Sequence, residues 1–371
     1  MKFVIFTHVP HYKVDNSYFA YSPYVREMNI WGKNVNEFIV VAPLSSKSAA
    51  VINSPYSHQN LTFISVPSFD IVSVRSFIST IFKLPGLLWT MYKAMRLADH
   101  IHLRCPGNMG LLGCIVQVLF PKVPKSAKYA GNWDPQSKQP LSYKLQQHIL
   151  SNTFFTRNMK VLVYGEWANS SKNIVPFFTA TYSEMEKIAI TQKKLQPVIN
   201  FIFVGTLTKG KNPLYAIQLI ESLYHKGYQV RLQIYGEGKQ RKLIEDYLLE
   251  QQLENVITLN GNQSKEVLLK AYQDSHFVIL PSESEGWPKA IAEGMFYGCV
   301  PIATKVSCVS FMLDYGNRGL LLHMDLENDC LQMESVLKNQ PLYEDMQNRA
   351  ATWSQKYTTE VFESEIIKIL K

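Results

Sequence analysis

The sequence predicts an α/β protein made of two parallel-sheet domains, and three observations lead there. Short apolar runs such as Lys2 to Phe6, Asn200 to Val204 and His276 to Leu280 are continuous, as expected of strands covered on both faces. Helical patterns lie between such runs, so strand and helix alternate along the chain. At 371 residues the chain is long enough for two cores of ordinary size.

In chain order, Lys2 to Phe6 reads as the first buried strand. The loop after it, Thr7 to Tyr12, brings His8 and His11 to the carboxyl edge of the sheet, where parallel sheets meet their ligands. A helix over Ser22 to Trp31 leads to strands at Glu37 to Ala42 and Leu61 to Val66. Between Ile71 and Ala98 there is no acid, while Arg75, Lys83, Lys93 and Arg96 punctuate an apolar pattern. That segment fits a crossover helix packed on the sheet, the reading favoured here, or a basic amphipathic surface lying on an anionic bilayer. Ile101 to Arg104 is the next strand, with Arg104 placed at its edge to hold a phosphate or another acid. A further strand ends in Tyr129-Ala130-Gly131-Asn132-Trp133-Asp134, and Met159 to Tyr164 is another. Ser183 caps a short polar helix.

Thr191 to Pro197 reads as a linker by composition, so residues 1–190 form the first domain and 191–350 the second. The second opens with the strand Asn200 to Val204, the loop Gly205 to Asn212 and a helix from Pro213 to Lys226. Strands follow at Val230 to Tyr235, closed by Gly236-Glu237-Gly238, and at Val256 to Leu259, His276 to Leu280, Val300 to Thr304 and Gly319 to Leu322. The tail from Tyr343 to Lys371 reads as helices, the last of them covering residues 351–371.

The formal charge of +8 is unevenly placed. Residues 1–190 hold 19 Lys+Arg against 9 Asp+Glu, a net +10, and the remainder holds 19 against 21, a net −2. The first half should therefore face an acidic partner or an anionic membrane surface. Nucleic acid is not the expected partner, because no basic run interleaved with aromatics occurs. Five cysteines without C-x-x-C spacing indicate neither a disulfide framework nor a zinc site. No D-x-D motif precedes a donor-side strand, so no metal site is expected. Met1 to Phe6 is too short an apolar run for a signal peptide and no stretch approaches a membrane span, so a cytoplasmic location is expected, with peripheral contact at the inner face of the plasma membrane.

One stretch, Pro281 to Pro301, organises the rest. It follows the apolar run at 276–280, where Pro281 and Ser282 end the strand, Gly286 permits a tight turn, and Trp287-Pro288 opens a helix. Such a junction gathers free backbone N–H groups and a helix N-terminus at one point, which suits a pyrophosphate. Glu285 stands in the loop and Glu293 a little over two helical turns on. Carboxylates repel phosphate but bind the hydroxyls of a sugar and a ribose well, so the pattern asks for a sugar nucleotide.

Glu285-Gly286-Trp287, Glu293-Gly294-Met295 and Gly298-x-x-Pro301 together resemble the E-x7-E signature of retaining, GT-B-fold glycosyltransferases of family 4. The resemblance implies two Rossmann-like domains facing each other across a cleft, with the C-terminal helix crossing back to the first. It implies that Glu285 contacts the donor sugar, Glu293 the ribose, and the loop of Ser282, Gly286, Trp287, Pro288, Lys289 and Ala290 the phosphates. Gly205-Thr206-Leu207 through Lys211 resembles the family's second diphosphate-binding loop, in which Lys211 offsets charge on the leaving nucleotide. Gly236 and Gly238 fall at a strand end bordering the nucleotide. Trp133-Asp134 stands where the family often has a His-Asp pair, which makes Asp134 a candidate catalytic residue and Asn132, Trp133, Arg104, His8 and His11 candidate acceptor contacts. Three departures stand out: no Gly-Gly turn in the first loop, Thr206 in place of an arginine, and Trp133 in place of the histidine.

These features point to transfer of a sugar from a UDP- or GDP-sugar to a glycan or lipid-linked acceptor in surface polysaccharide synthesis, with no cofactor beyond the donor itself. Two alternatives stay open: a nucleotide-sugar 2-epimerase on the same fold, and a non-catalytic nucleotide-sugar-binding subunit of a polysaccharide-assembly complex.

Overall fold

The computed structural model describes residues 1–46, 52–67, 74–195 and 197–371, with the side chains of 74–81 outside that description. The chain forms two compact units, Met1–Phe177 with Glu363–Lys371, and Phe178–Phe362.

Strands of the first unit are β1 (Lys2–Phe6), β2 (Tyr12–Val14), β3 (Ser17–Tyr21), β4 (Glu37–Pro43), β5 (Asn53–Pro55), β6 (Leu61–Val66), β7 (His100–Cys105), β8 (Lys125–Tyr129), β9 (Met159–Tyr164) and β10 (Ile174–Phe177). Its helices are α1 (Ser22–Gly32), α2 (Val74–Arg96), α3 (Asn108–Val116) and α4 (Leu141–Ser151). Seven strands form one sheet in the order β10-β9-β8-β7-β1-β4-β6, and every pairing in it is parallel. Val4, Phe6, Val41, Leu103 and Val161 bury one face of it against Leu87, Met91 and Met95 of α2. The segment with no acid is thus a crossover helix over most of its length, and the side chain of Arg75 lies outside the description. Among the described residues no helix is long and apolar enough to cross a membrane.

A small antiparallel sheet, β2-β3-β5, was not foreseen. Its hairpin closes through Asp15-Asn16 between paired Val14 and Ser17, with Asp15 at φ 51°, and Asp or Asn at positive φ is the usual chemistry of a two-residue hairpin turn.

Histidines occupy the core of this unit in neutral form. His100 and His102 alternate along β7 and share the Ser126 hydroxyl at 2.8 and 2.7 Å, with the Phe3 ring stacked on both. Burial pushes the pKa of His100 down to about 4 and that of His102 well below the ordinary value of 6.5. Buried His11 likewise falls to about 4. An unfolded imidazole takes up its proton below about 6.5, whereas these wait until lower pH, so their contribution is present above pH 6.5 and is lost as pH falls toward 4. For His100 and His11 the effect is up to roughly 3 kcal/mol each. Thermal melts at pH 7, 6 and 5 should show a steadily falling Tm, and a level profile over that window would contradict neutral, buried imidazoles.

Among the described residues the second unit has six strands, β11 (Ile199–Val204), β12 (Val230–Tyr235), β13 (Ile257–Gly261), β14 (Phe277–Leu280), β15 (Val300–Thr304) and β16 (Leu320–Leu322). They form a parallel sheet in the order β13-β12-β11-β14-β15-β16. Helices are α5 (Pro213–His225), α6 (Arg241–Glu250), α7 (Lys265–Asp274), α8 (Lys289–Phe296), α9 (Val309–Met312), α10 (Leu326–Leu337), α11 (Gln340–Ser354) and α12 (Thr359–Leu370). Strand order changes direction at β11-β14, so the loops after these two strands adjoin.

Residues 178–190, expected in the first domain, belong to the second unit. Phe178 packs on Tyr357 and Phe362, and Tyr182 on Phe296 and Tyr297. The segment read as a linker is tied down as well. Lys193 donates to the carbonyls of Tyr272, Ser275 and Gly298, and Leu195 is buried; Gln196 lies outside the described residues. Polar composition there reflects a lysine used as a clasp for orphan carbonyls, not a solvated tether. Residues 363–371, the end of α12, group with the first unit, where Lys33 meets Glu363 at 3.3 Å and Lys160 donates to the Lys368 carbonyl at 2.8 Å.

Candidate functional site

The stretch 277–296 is built as a strand, a loop and a helix. All four residues of β14 are buried, Pro281 to Pro288 form the loop, and α8 begins at Lys289. Ser282 is buried: its carbonyl accepts from the Thr304 hydroxyl, while its own hydroxyl has no protein partner. The Gly286 carbonyl accepts from Ser307 at 3.3 Å and from the Cys308 thiol at 3.1 Å, which fixes the turn from the side. Trp287 is buried and stacks on Trp353 at 5.9 Å, so its ring anchors the loop. From α11, Ser354 donates to the Ala292 carbonyl at 2.6 Å and Gln355 to the Phe296 carbonyl at 3.0 Å, holding α8 in place. Gly294 lets α8 lie close on the sheet, since a Cβ there would stand 2.5 Å from Cγ1 of Val278.

The second loop, 205–212, is drawn onto the first. The Glu283 amide donates to the Gly210 carbonyl at 2.8 Å, and Lys211 Nζ stands 2.5 Å from Glu285 Oε1. Glu285 is only 8% exposed and Lys211 30%, so the contact is a largely desolvated ion pair between residues far apart in sequence. Asn212 adopts φ 49° and Pro213 opens α5, which turns the chain sharply and leaves Lys211 beside the carboxylate. Thr206, Lys209 and Lys289 are exposed around the pair.

Glu293 is half-buried among tyrosines. Tyr272, fully buried on α7, donates to Glu293 Oε2 at 3.4 Å. Burial and then the Glu293 charge raise the pKa of the Tyr272 and Tyr182 hydroxyls. Tyr297 is raised by burial, Glu186 and Glu293 in that order. All three stay protonated, and Tyr272 acts as a donor that orients the carboxylate. The sequence offered no signal for this ring of tyrosines, which comes from three separate segments.

Gly236 and Gly238 serve the approach of loop 236–238 to loop 205–207. A Cβ on Gly236 would lie 1.9 Å from the Gly205 carbonyl oxygen, and one on Gly238 would lie 2.3 Å from that of Leu207. Gly236 also sits at φ 147°, a conformation that favours glycine. Gly205 donates to the Tyr235 carbonyl at 2.9 Å and Leu207 to that of Glu237 at 3.0 Å. Gly236→Ala is therefore expected to destabilise the second unit by about 3 kcal/mol or more. Gly210→Ala, where nothing lies within 4 Å of the added methyl, should be close to neutral in the same denaturation experiment.

Candidates from the first unit meet different fates. His11 is fully buried, with Nδ1 on the Val9 carbonyl at 2.8 Å, Nε2 on the Tyr56 hydroxyl at 2.7 Å, and its ring stacked on Tyr56. Both nitrogens are used, so it is a packing residue and not an acceptor contact. His8 is exposed and packs over Gly107, whose missing Cβ makes room for Nδ1. Partial burial and the Arg104 charge lower its pKa, leaving a neutral imidazole at the loop surface. Arg104 is 11% exposed and bonded to Glu27 of α1, which Lys128 Nζ also reaches at 3.0 Å. Its charge is engaged inside the protein, which corrects the expectation that it holds a ligand's acid. Asn132 accepts from the Asp134 amide at 2.9 Å, and Asp134 accepts from the Gln136 amide at 2.8 Å. These are successive Asx turns. Trp133 is buried edge-on against Tyr129. The segment 132–136 is thus a self-bonded turn, with Asp134 half-buried within it.

Chemically, the second unit sets lysines and carboxylates around adjoining strand-end loops, with Lys211 paired to Glu285 and with Glu293 on α8, a set suited to a ligand that carries both phosphate and hydroxyl groups. Comparison with known proteins points the same way. Residues 185–353 match the family of glycosyl transferases group 1. An uncharacterized glycosyltransferase of Methanocaldococcus jannaschii is 26% identical over 160 residues, covering 43% of this chain and 44% of that protein. The matched stretch spans less than half the length of the curated relatives. Among solved structures, a sucrose-phosphate synthase from Thermosynechococcus elongatus superposes with a TM-score of 0.67 at 14% identity, covering 100% of this chain and 98% of that one. Anabaena HepE in complex with UDP and glucose gives 0.67 at 13% identity, with 100% and 99% covered. The fold of the chain is that of the GT-B glycosyltransferases.

Proposed function

We propose, from the premise that residues 185–353 are a domain of the glycosyl transferases group 1 family, that the chain transfers a sugar from a nucleoside-diphosphate sugar to a glycan or lipid-linked acceptor with retention at the anomeric carbon. The observation that carries this reading is the Lys211–Glu285 pair at 2.5 Å. It sets a cation for the diphosphate beside a carboxylate for the sugar hydroxyls, on loops at the carboxyl ends of neighbouring parallel strands. The HepE structure that the chain resembles holds UDP and glucose, which makes a UDP-sugar the first donor to try. In this reading Glu293, oriented by Tyr272, takes the ribose hydroxyls. The Gly286–Ala290 backbone and the unpartnered Ser282 hydroxyl face the phosphates.

The bond from the anomeric carbon to the leaving phosphate oxygen breaks as the acceptor oxygen bonds to the same face. The acceptor's proton passes to the departing phosphate, so no protein nucleophile is required. Lys211 stabilises the charge that develops on the diphosphate. No divalent metal is needed in this scheme. A nucleotide-release assay over UDP- and GDP-sugars, with and without extracted glycan and lipid-linked acceptors, tests it. Release should depend on acceptor, persist in chelator and fall steeply in Glu293→Ala. Release from no donor, or release undiminished by Glu293→Ala, would overturn the assignment.

A further inference from the structure

The first unit carries an apolar groove that neither sheet nor helix covers. It encloses about 900 Å³ between α2, the end of α3 and the segment after α4, and Leu88, Trp89, Tyr92, Ile115, Leu119 and Phe155 are among its walls. Of its walls, Trp89 is 57% and Leu119 67% exposed; Phe82, on α2 one turn before the wall residue Pro85, is 82% exposed, and Phe154, whose ring packs 5.7 Å from that of the wall residue Phe155, is 66% exposed. These crests come from three separate stretches of chain. Large apolar side chains gathered in this way on one face mark a surface that meets something apolar.

Charge identifies the occupant. Residues 71–165 contain twelve Lys+Arg against only Asp99 and Asp134. Arg104, Lys125 and Lys128 are turned inward, but Lys83, Lys93, Arg96, Lys122 and Arg157 are exposed. Several of these border the crests. Lys93 Nζ lies 5.9 Å from the Trp89 ring centre, the Arg157 guanidinium lies 4.8 Å from that of Phe154, and Arg96 joins the groove wall. An aromatic edge with a cation beside it is the arrangement suited to the boundary between acyl chains and headgroups. A second copy of this chain would bring like charge against like. A polyanion such as RNA would satisfy the cations and leave the apolar floor in water.

We propose that this face docks on a bilayer bearing anionic headgroups, with Phe82, Trp89, Leu119 and Phe154 entering the acyl region and the groove receiving a lipid chain. The inference stands independently of the donor reading, because it uses no residue of the second unit.

Flotation of the full chain with phosphatidylcholine vesicles, with and without about one third phosphatidylglycerol, tests it. Binding should be at least tenfold stronger to the anionic vesicles and should weaken as salt is raised. Lys93→Ala, Arg96→Ala and Arg157→Ala should each weaken it by about fivefold, the effect of roughly one unit charge near such a surface. Trp89→Glu with Leu119→Glu should abolish it while leaving the thermal melt unchanged, since both side chains are more than half exposed. Brominated lipid should quench tryptophan fluorescence in the natural chain and not in Trp89→Phe, a substitution that keeps the groove filled. Absence of flotation, equal binding to neutral vesicles, or quenching that survives Trp89→Phe would overturn the proposal. So would a dimer in light scattering that Leu119→Glu disperses without any vesicle binding.

Discussion

Lys211→Met is expected to lower the rate of sugar transfer by a factor on the order of 10² to 10³, the usual consequence of removing one preorganised charge from a developing anion. It should also destabilise the second unit. Glu285 is 8% exposed and Lys211 Nζ stands 2.5 Å from it, so truncating the lysine leaves a carboxylate in a poorly solvated loop. A fully buried pair broken on one side loses several kcal/mol, and with Lys211 30% exposed a loss of about 1–3 kcal/mol is appropriate here. The two effects separate in the double variant Lys211→Met, Glu285→Gln. Removing the second charge should restore most of the stability in chemical denaturation, while nucleotide release stays lost, because neither the sugar hydroxyls nor the diphosphate then has its charged partner. If single and double variants unfold at the same denaturant concentration, the ion pair contributes nothing and loop 205–212 is held only by its backbone bonds.

That coupling could not be read from the chain itself. Continuous apolar runs, glycines at strand ends and a proline at a helix start identified β14, its loop and α8, because those signals are local and the backbone must obey them. The pairing of Lys211 with Glu285 spans 74 residues and follows from strand order, which places β11 beside β14. Misreadings had the same origin. His11 and Arg104 lie at strand ends, where exposure was the reasonable expectation, but Tyr56 and Glu27 come from 45 and 77 residues away to occupy them. The unit boundary at Phe177–Phe178 escaped notice because aromatic packing, and not composition, decides it. Glu27 did leave a trace. It is the only acid of α1 and lies among Tyr24, Met28 and Trp31, which are buried with it on the inner face of that helix, and a lone carboxylate on an apolar face requires a partner.

Glu27→Gln should accordingly be the most damaging conservative change in the first unit. The carboxylate is bonded to Arg104 and stands 3.0 Å from Lys128, whose side chain is 1% exposed. Lys128 also lies 5.5 Å from the rings of Tyr164 and Phe177, which soften its burial without neutralising it. Burial alone would push the Glu27 carboxyl up. Arg104 and then Lys128 more than offset this and hold it at about 2, against an ordinary 4.5. A depressed carboxyl stabilises the fold above its unfolded pKa, and that stability disappears as pH falls from about 4.5 through 2, roughly 3 kcal/mol in all. The glutamine variant removes it at every pH and leaves two buried cations facing each other, a cost of about 3–5 kcal/mol. Charge counting fixes the order of the variants. The natural cluster carries one net positive charge, Lys128→Met carries none and Glu27→Gln carries two. Lys128→Met should therefore melt well above Glu27→Gln although it removes a larger group, and Glu27→Gln with Lys128→Met should recover much of the loss. A Glu27→Gln protein that melts within a degree of the natural chain would mean that packing, with no help from charge, holds α1 against β7 and β8.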